Sequence, residues 1–193
     1  MNNLRCIIIS QPKAGTYLCA NLLQEMGLCF DGYHISKNKY EKYNLADLAG
    51  SRFDLKKYTH KSDLKKSLSL IKNNCIGVSH LQCTSINKDL LKNFKIILLL
   101  RDYKDCLDSW EKWSKYRYGK KLSYISFDSF QNISKWENED NVFTIRFESM
   151  VNKHISKIDE LQLFLFNQII YDSSLCIDKA LSKDSLTKMR LRK

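Results

Sequence analysis

Four short apolar runs recur along the chain, separated by longer stretches in which apolar positions follow helical spacing. The runs are rich in Ile, Leu and Val and have polar borders, which favours buried strands over helices. They are Leu4–Ser10, Cys75–Ser79, Lys95–Leu100 and Val142–Arg146. Strands that are apolar throughout and separated by helices predict an α/β fold with a parallel sheet covered on both faces.

Helical periodicity occupies the stretches between these runs. We expect Gly27 to end the first helix, and Ser62 and Asp105 to begin later ones as N-caps. The predicted helices are Thr16–Met26, Ser62–Lys72, Asp105–Lys115 and Ile155–Ile170.

The segment Phe30–Tyr58 is the least regular part of the pattern, with aromatic residues interleaved among lysines. Two interpretations stay open. The segment covers a ligand, or its aromatics pack a helix onto the core.

Length and composition indicate one globular domain, residues 1–193, because the chain is long enough to bury a core and is 44% hydrophobic with one proline. Lys and Arg exceed Asp and Glu by 32 to 21, a net charge of +11. That surplus suggests an anionic partner, which could be nucleic acid, a membrane or a small polyanion. A basic surface without any such partner explains the charge equally well.

The seven cysteines form no CxxC pair and no metal-ligand spacing, so we expect buried thiols in a reducing compartment and no metal site. The longest apolar run, Ile96–Leu100, is too short to span a bilayer, and no signal-peptide pattern precedes Gln11. The cytoplasm is therefore the expected compartment.

A polar loop follows the first predicted strand and leads directly into the first predicted helix. It contains Lys13, Gly15 and Thr16. Backbone N–H groups at a helix N-terminus, together with a lysine charge, favour binding of a phosphate or sulfate group. The loop is not a Walker A motif, because Lys13 precedes Gly15 instead of following it. The alternative is an ordinary surface turn.

Arg101 directly follows the third predicted strand, and ligands of open α/β sheets bind beyond the carboxyl ends of the strands. With Asp105 as the cap of the next helix, Ser109 would lie about one turn inside it. Arg101 and Ser109 could then meet at a second anion, since an Arg fork suits a terminal phosphate. Alternatively, Arg101 pairs with Asp102 or Asp105 on the surface.

His80 follows the strand Cys75–Ser79 and so falls at the same edge as Lys13 and Arg101. A neutral imidazole there could take a proton from a substrate hydroxyl, although a single histidine is usually structural. The other histidines, His34, His60 and His154, lie in polar surroundings without such a position.

Four of these stretches together resemble the motifs of sulfotransferases that use 3′-phosphoadenosine 5′-phosphosulfate (PAPS). Pro12–Thr16 resembles their P-K-S-G-T loop, and Arg101–Ser109 resembles their R-(D/N)-P-x-D-x-x-x-S signature. Ser79–Leu81 resembles the (T/S)-H-L stretch, and Phe143–Glu148 resembles the strand that ends in Y-E-(D/N). The resemblance implies a three-layer, P-loop NTPase-like fold with a mostly parallel central sheet.

The resemblance also implies a role for each matched residue. The loop, with Lys13 and Gly15 at its centre, would hold the 5′-phosphosulfate, and Lys13 would also offset charge on the leaving group. Arg101 and Ser109 would hold the 3′-phosphate, and His80 would be the general base toward an acceptor hydroxyl. No metal would be required. The expected cofactor-binding residues are Lys13, Ala14, Gly15, Thr16, Tyr17, Arg101 and Ser109, and the expected catalytic residues are His80 and Lys13.

The chain departs from the motifs at several positions. Ala14 replaces a Ser, Tyr17 replaces a Thr or Ser, and Leu18 replaces a Trp that stacks on adenine in many members. Tyr103 replaces a Pro, and Val78 replaces a Lys. The C-terminal R-K-G-x-x-G-x-W segment has no counterpart in the basic tail from Ser185, which either substitutes for it or is a solvated end.

Other functions stay open as alternatives. A P-loop-type kinase suits the order of elements but lacks a metal carboxylate and the usual lysine position. A nucleic-acid-binding module would use Lys112–Lys121, which holds five basic and no acidic residues among aromatics, but no known nucleic-acid motif is present. An inactive nucleotide-binding relative is a further alternative. The acceptor could be a small molecule, a lipid or a carbohydrate.

Overall fold

The computed structural model describes residues 4–43 and 57–183. The described residues form one sheet of seven strands in the order β4-β3-β2-β5-β1-β6-β7. β2, β5, β1, β6 and β7 are parallel, and β3 and β4 add an antiparallel edge. The strands are β1 (Arg5–Ser10), β2 (Cys29–Ser36), β3 (Lys39–Tyr43), β4 (Lys57–Lys61), β5 (Cys75–Ser79), β6 (Lys95–Leu100) and β7 (Val142–Arg146). All four predicted strands are confirmed.

Helices connect the parallel strands. They are α1 (Thr16–Glu25), α2 (Leu64–Ser69), α3 (Ser85–Leu91), α4 (Tyr103–Tyr118), α5 (Phe127–Ser134), α6 (Phe147–Val151), α7 (Ile155–Phe166) and α8 (Ser173–Lys183), and a 3₁₀ turn at Lys135–Asn138 follows α5. Among the described residues, no helix is both long enough and apolar enough to cross a bilayer.

Strand β1 lies inside the sheet, between β5 and β6, and is buried on both faces, which makes the molecule three layers thick. Cys6 and Ile8 face a core that includes residues of α1, α7 and α8. Ile7 and Ile9 face the opposite core, with residues of α2 and α3. Successive side chains of a strand point to opposite faces, so a continuous apolar run is what such a position requires. The predicted α/β fold with a mostly parallel sheet is confirmed.

Two predicted helix starts were wrong. Asp63, not Ser62, caps α2, because its Oδ1 accepts the Lys66 N–H at 2.7 Å. Asp102, not Asp105, caps α4, accepting the N–H groups of Lys104 and Asp105. Each helix thus has its N-cap carboxylate one to three residues away from the predicted cap.

The Asp102 cap moves Ser109 deeper into its helix than predicted. Because α4 begins at Tyr103, Ser109 is its seventh residue and lies nearly two turns from the start. Helix α7 ends at Phe166 instead of Ile170, because Asn167 takes the left-handed conformation with φ +59°. Gly27, with φ +82°, follows α1 as predicted.

The irregular character predicted for Phe30–Tyr58 was wrong for the described part, which consists of strands. β2 escaped detection because its pairing with β5 shifts register between Phe30 and His34, and Gly32 has φ +79°. That irregularity breaks the two-residue periodicity by which strands are recognised. Residues 44–56, with Phe53, and the C-terminal tail from residue 184 lie outside the described residues.

Candidate functional site

The carboxyl ends of β5, β1 and β6 lie side by side, with β1 in the middle. We call this side of the sheet, where the parallel strands end, its carboxyl edge, and the side where they begin its amino edge. His80 follows β5, the loop with Lys13 follows β1, and Arg101 follows β6. Backbone and side-chain contacts join all three. His80 Nδ1 lies 2.7 Å from the Ser10 carbonyl oxygen, and Arg101 Nη1 lies 3.3 Å from the Lys13 carbonyl oxygen. The structure therefore brings the three predicted residues together, and we call the group of His80, the Lys13 loop and Arg101 the rim.

The loop between β1 and α1 has a tight, left-handed backbone. Lys13 has φ +69° and Gly15 has φ +99°, and the Ala14 N–H donates to the Gln11 carbonyl at 3.1 Å. A Cβ on Gly15 would lie 2.5 Å from Phe147 Cδ2, so no larger residue fits without movement. Glycine is thus required here both by the backbone conformation and by the close approach of an aromatic ring.

Helix α1 starts directly at this loop and has no side-chain cap, since its N-cap residue is Gly15. The first N–H groups of any helix lack partners within the helix, and they carry the positive end of its dipole. The Thr16 hydroxyl is held by Ser10, with 2.6 Å between Oγ1 and Oγ. The loop and the first turn of α1 can therefore bind an anion through backbone N–H groups.

His80 is held in one tautomer. Because a carbonyl oxygen only accepts hydrogen bonds, the 2.7 Å contact means that His80 Nδ1 carries the proton and donates to Ser10. In the neutral ring the lone pair is then on Nε2. The Ser10 hydroxyl lies 3.3 Å from Nδ1, and the His34 ring packs edge-on at 4.8 Å between ring centres.

Burial lowers the pKa of His80 below its ordinary value of 6.5. The hydrogen bond to the Ser10 carbonyl opposes that change, and the positive charge of Lys13 adds to it. His80 is consequently neutral near pH 7 and able to accept a proton at Nε2.

Arg101 is fixed in place but keeps hydrogen-bonding capacity. Its backbone N–H donates to Gln11 Oε1 at 3.1 Å, and its guanidinium lies 4.2 Å from the centre of the Phe147 ring. The alternative prediction holds for Asp105, whose carboxylate forms a long ion pair with Arg101 Nε at 3.9 Å. At that distance the buried Nε has no hydrogen-bond partner within the described residues. Asp102 is occupied as the helix cap. A buried donor without a hydrogen bond is costly, and an anion at this rim would satisfy it.

One face of α4 lies toward the same loop. Asp105, Ser109 and Trp113 are spaced four residues apart, which places them along one side of the helix. Asp105 is the carboxylate near Arg101, and Lys13 Nζ lies 4.4 Å from the centre of the Trp113 ring. Ser109 lies between these two contacts.

The remaining predicted residues, Ala14 and Tyr17, lie in the same loop and in the first turn of α1, and their contact with a cofactor stays a prediction. Ala14 is fully buried, and its N–H is used in the turn to Gln11. The half-buried Tyr17 ring lies 6.3 Å from that of Phe30, between ring centres.

Several residues that support the rim were not predicted from the sequence. Gln11 is 1% exposed, and its Nε2 donates to Ser134 Oγ at 2.9 Å while its Oε1 accepts from Arg101. Tyr124 donates its hydroxyl hydrogen to the Pro12 carbonyl at 2.5 Å. Gln11 could have been found by its position directly after a buried strand. Tyr124 gives no such signal, because it lies in a loop distant in sequence.

The opposite, amino edge of the sheet has a cavity of about 730 Å³. Its lining includes Arg5, Phe94, Lys95, Asn141 and Tyr171 and none of the residues of the rim. Arg5 donates to the carbonyl oxygens of Ile71 and Leu68, and Asn141 donates to those of Leu91 and Phe94. These donors are already satisfied by the protein, so volume alone does not favour this cavity over the rim.

Comparison with known proteins gives a family match and similar solved structures, among them a sulfotransferase and a gluconokinase. The family model for the sulfotransferase domain matches residues 4–191. The mouse sulfotransferase SULT7A1 complexed with PAP has a TM-score of 0.58 at 18% identity, over 97% of this chain and 67% of that one. A gluconokinase from Sinorhizobium meliloti 1021 has a TM-score of 0.43 at 9% identity, over 98% of this chain and 96% of that one. No curated protein matches the chain in sequence.

Proposed function

Because the chain belongs to the sulfotransferase domain family, we propose that it moves the sulfuryl group of PAPS to a hydroxyl group of an acceptor. The observation that carries this proposal is the rim itself. It combines the start of α1, which has no side-chain cap, with the buried Arg101 Nε, which has no hydrogen bond, and the neutral His80. Hydrogen bonds from Arg101 and His80 to the backbone of residues 10–13 hold the three together.

The loop residues fit the 5′-phosphosulfate end of PAPS. Gly15 leaves no side chain between the backbone and the Phe147 ring, and the first N–H groups of α1 and the Lys13 ammonium supply positive charge. When bound, PAPS supplies an activated sulfuryl group whose departure leaves negative charge on a phosphate oxygen. Donors that are already oriented toward that charge stabilise the transition state more than the ground state.

Arg101 fits the 3′-phosphate. Its planar guanidinium is stacked on Phe147 and tied to the loop, which limits the orientations that it can adopt. Charge-assisted bonds from an oriented guanidinium to phosphate are stronger than neutral hydrogen bonds. Ser109, on the face of α4 that lies toward the loop, is a second donor for the same group.

His80 fits the role of general base. Its Nε2 bears the lone pair because Nδ1 is engaged with Ser10, and burial keeps the ring neutral. If His80 Nε2 takes the proton of an acceptor hydroxyl, the hydroxyl oxygen becomes a stronger nucleophile as it attacks sulfur. Positive charge at the rim comes from Lys13 and Arg101, so we propose that the transfer needs no metal ion.

Calorimetric titration and a transfer assay test the proposed function together. We expect saturable binding of 3′-phosphoadenosine 5′-phosphate (PAP), and transfer from radiolabelled PAPS to a hydroxyl acceptor in a panel that contains a phenol, a sterol and a monosaccharide. Neither should require Mg²⁺. Phosphoryl transfer from ATP that depends on Mg²⁺, without PAP binding, would identify a kinase instead.

The compartment is also a proposal. All seven cysteines are free thiols, and five of them are buried. Free thiols persist in reducing compartments, so we propose a cytoplasmic location.

A further inference from the structure

A group of three possible metal ligands lies at the amino ends of β2 and β5, away from the rim. It consists of the Cys29 thiol, the Asp31 carboxylate and the Cys75 thiol. The ligand atoms all lie within 4.8 Å of one another, and the Cys29 thiol donates to Asp31 Oδ1 at 3.3 Å. Among the described residues, this is the one group of three or more such side chains.

The sheet brings these three residues together although the sequence separates them. Cys29 and Cys75 are direct partners in the parallel pairing of β2 with β5, so their side chains point to the same face. Asp31 lies two residues after Cys29 on the same strand, and its carboxylate is beside the Cys29 thiol because that thiol donates to Oδ1. The sequence shows no metal-ligand spacing because the two thiols are 46 positions apart, the difference between 75 and 29.

The distances suit a small cation with little movement. Three atoms within 4.8 Å of one another leave a central ion about 2.8 Å or less from each, against about 2.3 Å for a zinc–sulfur bond. A contraction of about half an ångström would therefore complete the bonds. Two sulfur donors favour a borderline-soft cation such as Zn²⁺ over Mg²⁺ or Ca²⁺, which prefer oxygen ligands.

The burial of the ligands provides both an anchor and an entry path. Cys75 is 7% exposed and packs in the core beside Ile7 and Leu68, whereas Cys29 is exposed. An ion would thus reach the group from solvent through Cys29, and water could fill a fourth position. A disulfide would use the two thiols but would give Asp31 no role.

We propose that Cys29, Asp31 and Cys75 bind one Zn²⁺ ion that joins β2 to β5. His80 lies five positions after Cys75, about 16 Å away at the rise of a β-strand. The ion therefore lies outside the rim and stabilises the sheet without taking part in sulfuryl transfer. Binding to the folded state alone raises the unfolding temperature.

Titration of the reduced, metal-free full chain with Cd²⁺ tests this site, because thiolate–Cd²⁺ bonds give an ultraviolet charge-transfer absorbance. We expect one equivalent to bind, Zn²⁺ to displace it, and Zn²⁺ to raise the melting temperature. Exposed Cys29→Ser, which leaves the core intact, should abolish the absorbance, and Asp31→Asn should weaken affinity about tenfold or more. The half-buried thiol of Cys83 gives the matched control, and Cys83→Ser should bind Cd²⁺ like the wild type.

Two results would overturn the proposal: no saturable Cd²⁺ binding by the reduced protein, or binding that survives Cys29→Ser. Equal affinity in Asp31→Asn would overturn the three-ligand set. PAP affinity should be the same in Cys29→Ser as in the wild type, so failure of the metal site is distinguishable from failure of the nucleotide site.

Discussion

Arg5 begins β1 and Arg101 directly follows the neighbouring strand β6, so the two lie at opposite edges of the sheet. Each has a guanidinium 4.2 Å from the centre of a phenylalanine ring. Their hydrogen bonds differ. Arg5 donates from Nε and Nη2 to the carbonyl oxygens of Ile71 and Leu68, at 3.1 and 2.7 Å. Arg101 donates from Nη1 to the loop and has a buried Nε without a hydrogen bond. Arg5 therefore closes the fold, and Arg101 is available to a ligand.

The two edges differ in the same way as a whole. The amino edge has the cavity of about 730 Å³, but two donors of its lining, Arg5 and Asn141, already bond to backbone carbonyls. The carboxyl edge has the uncapped start of α1, the neutral His80 and Arg101. Donors without a hydrogen bond therefore indicate the binding site better than cavity volume does. They also indicate it better than the net charge of +11, because that charge belongs to the whole chain and distinguishes neither edge.

Substitution of His80, at the carboxyl edge, should produce the largest effect on the transfer rate. His80→Ala removes the proton acceptor, so transfer from PAPS should fall by about 10²–10⁴-fold while PAP affinity stays within a factor of about two. Kinetics and calorimetry measure the two quantities separately. His154→Ala, at an exposed histidine, should leave both unchanged. Retained turnover in His80→Ala would remove His80 from the role of base.

Arg101→Ala should weaken PAP binding by about 10–100-fold, because the charge-assisted hydrogen bonds to the 3′-phosphate are lost. Calorimetry measures the change. Adenosine 5′-phosphosulfate, which has no 3′-phosphate, should bind the wild type and the variant with nearly equal affinity. If Arg101→Ala keeps the full affinity for PAP, the guanidinium serves only to hold the Lys13 carbonyl.

Arg5→Ala should show the reverse pattern. Loss of its bonds removes a donor from the Ile71 carbonyl and leaves the Leu68 carbonyl with the Ile71 N–H, so the free energy of unfolding should fall by about 1–3 kcal/mol. PAP affinity, measured on the folded variant, should not change. Chemical denaturation gives the first quantity. A loss of PAP affinity without a loss of stability would contradict the distinction between the two arginines.

Gly15→Ala should destabilise the rim by about 1–3 kcal/mol, because the new Cβ would overlap the Phe147 ring and the backbone is left-handed. PAP affinity should fall as well. Gly119→Ala is the matched control, since Gly119 has φ +67° but no atom within 4 Å of a new Cβ. Its unfolding free energy should change by about 1 kcal/mol, and PAP affinity should stay at the wild-type value. Equal effects of the two substitutions would show that the Phe147 contact is unimportant.

Of these predicted effects, the change of the transfer rate with pH near neutrality should be the smallest. Since burial lowers the pKa of His80 below 6.5, the ring is neutral at pH 7, and the transfer rate should fall only as the pH drops below 6.5. The unfolded chain binds this proton more readily, so the contribution of His80 to stability should also be lost over the same range. A pH–rate profile measures the first effect. A rate that falls between pH 8 and 7 would contradict a lowered pKa.

The sequence predicts the parts of the molecule that depend on local pattern. Continuous apolar runs identify β1, β5, β6 and β7, and the residues after them identify Lys13, His80 and Arg101 as neighbours at one edge. β2 is missed because the register shift between Phe30 and His34 interrupts its periodicity. The α4 cap is misplaced because Asp102 and Asp105 are equally good caps by residue type.

Sequence patterns cannot predict the contacts that support the rim, because those contacts join residues far apart along the chain. Gln11 and Ser134 are 123 positions apart, and Pro12 and Tyr124 are 112 apart. A glutamine or tyrosine satisfies such a contact only after the sheet has formed. The tautomer of His80 likewise depends on the Ser10 carbonyl, 70 positions away.

Hydrogen exchange of the wild-type chain with and without PAP tests most directly whether the ligand binds at the carboxyl edge. Peptides that cover residues 10–17 and 101–109 should exchange more slowly with PAP, because the N–H groups of the loop and of the first turn of α1 become hydrogen-bonded. Peptides that cover residues 71–75 and 92–95, at the amino edge, should not change. Protection at residues 92–95 with none at residues 10–17 would place the nucleotide in the cavity and contradict the proposed site.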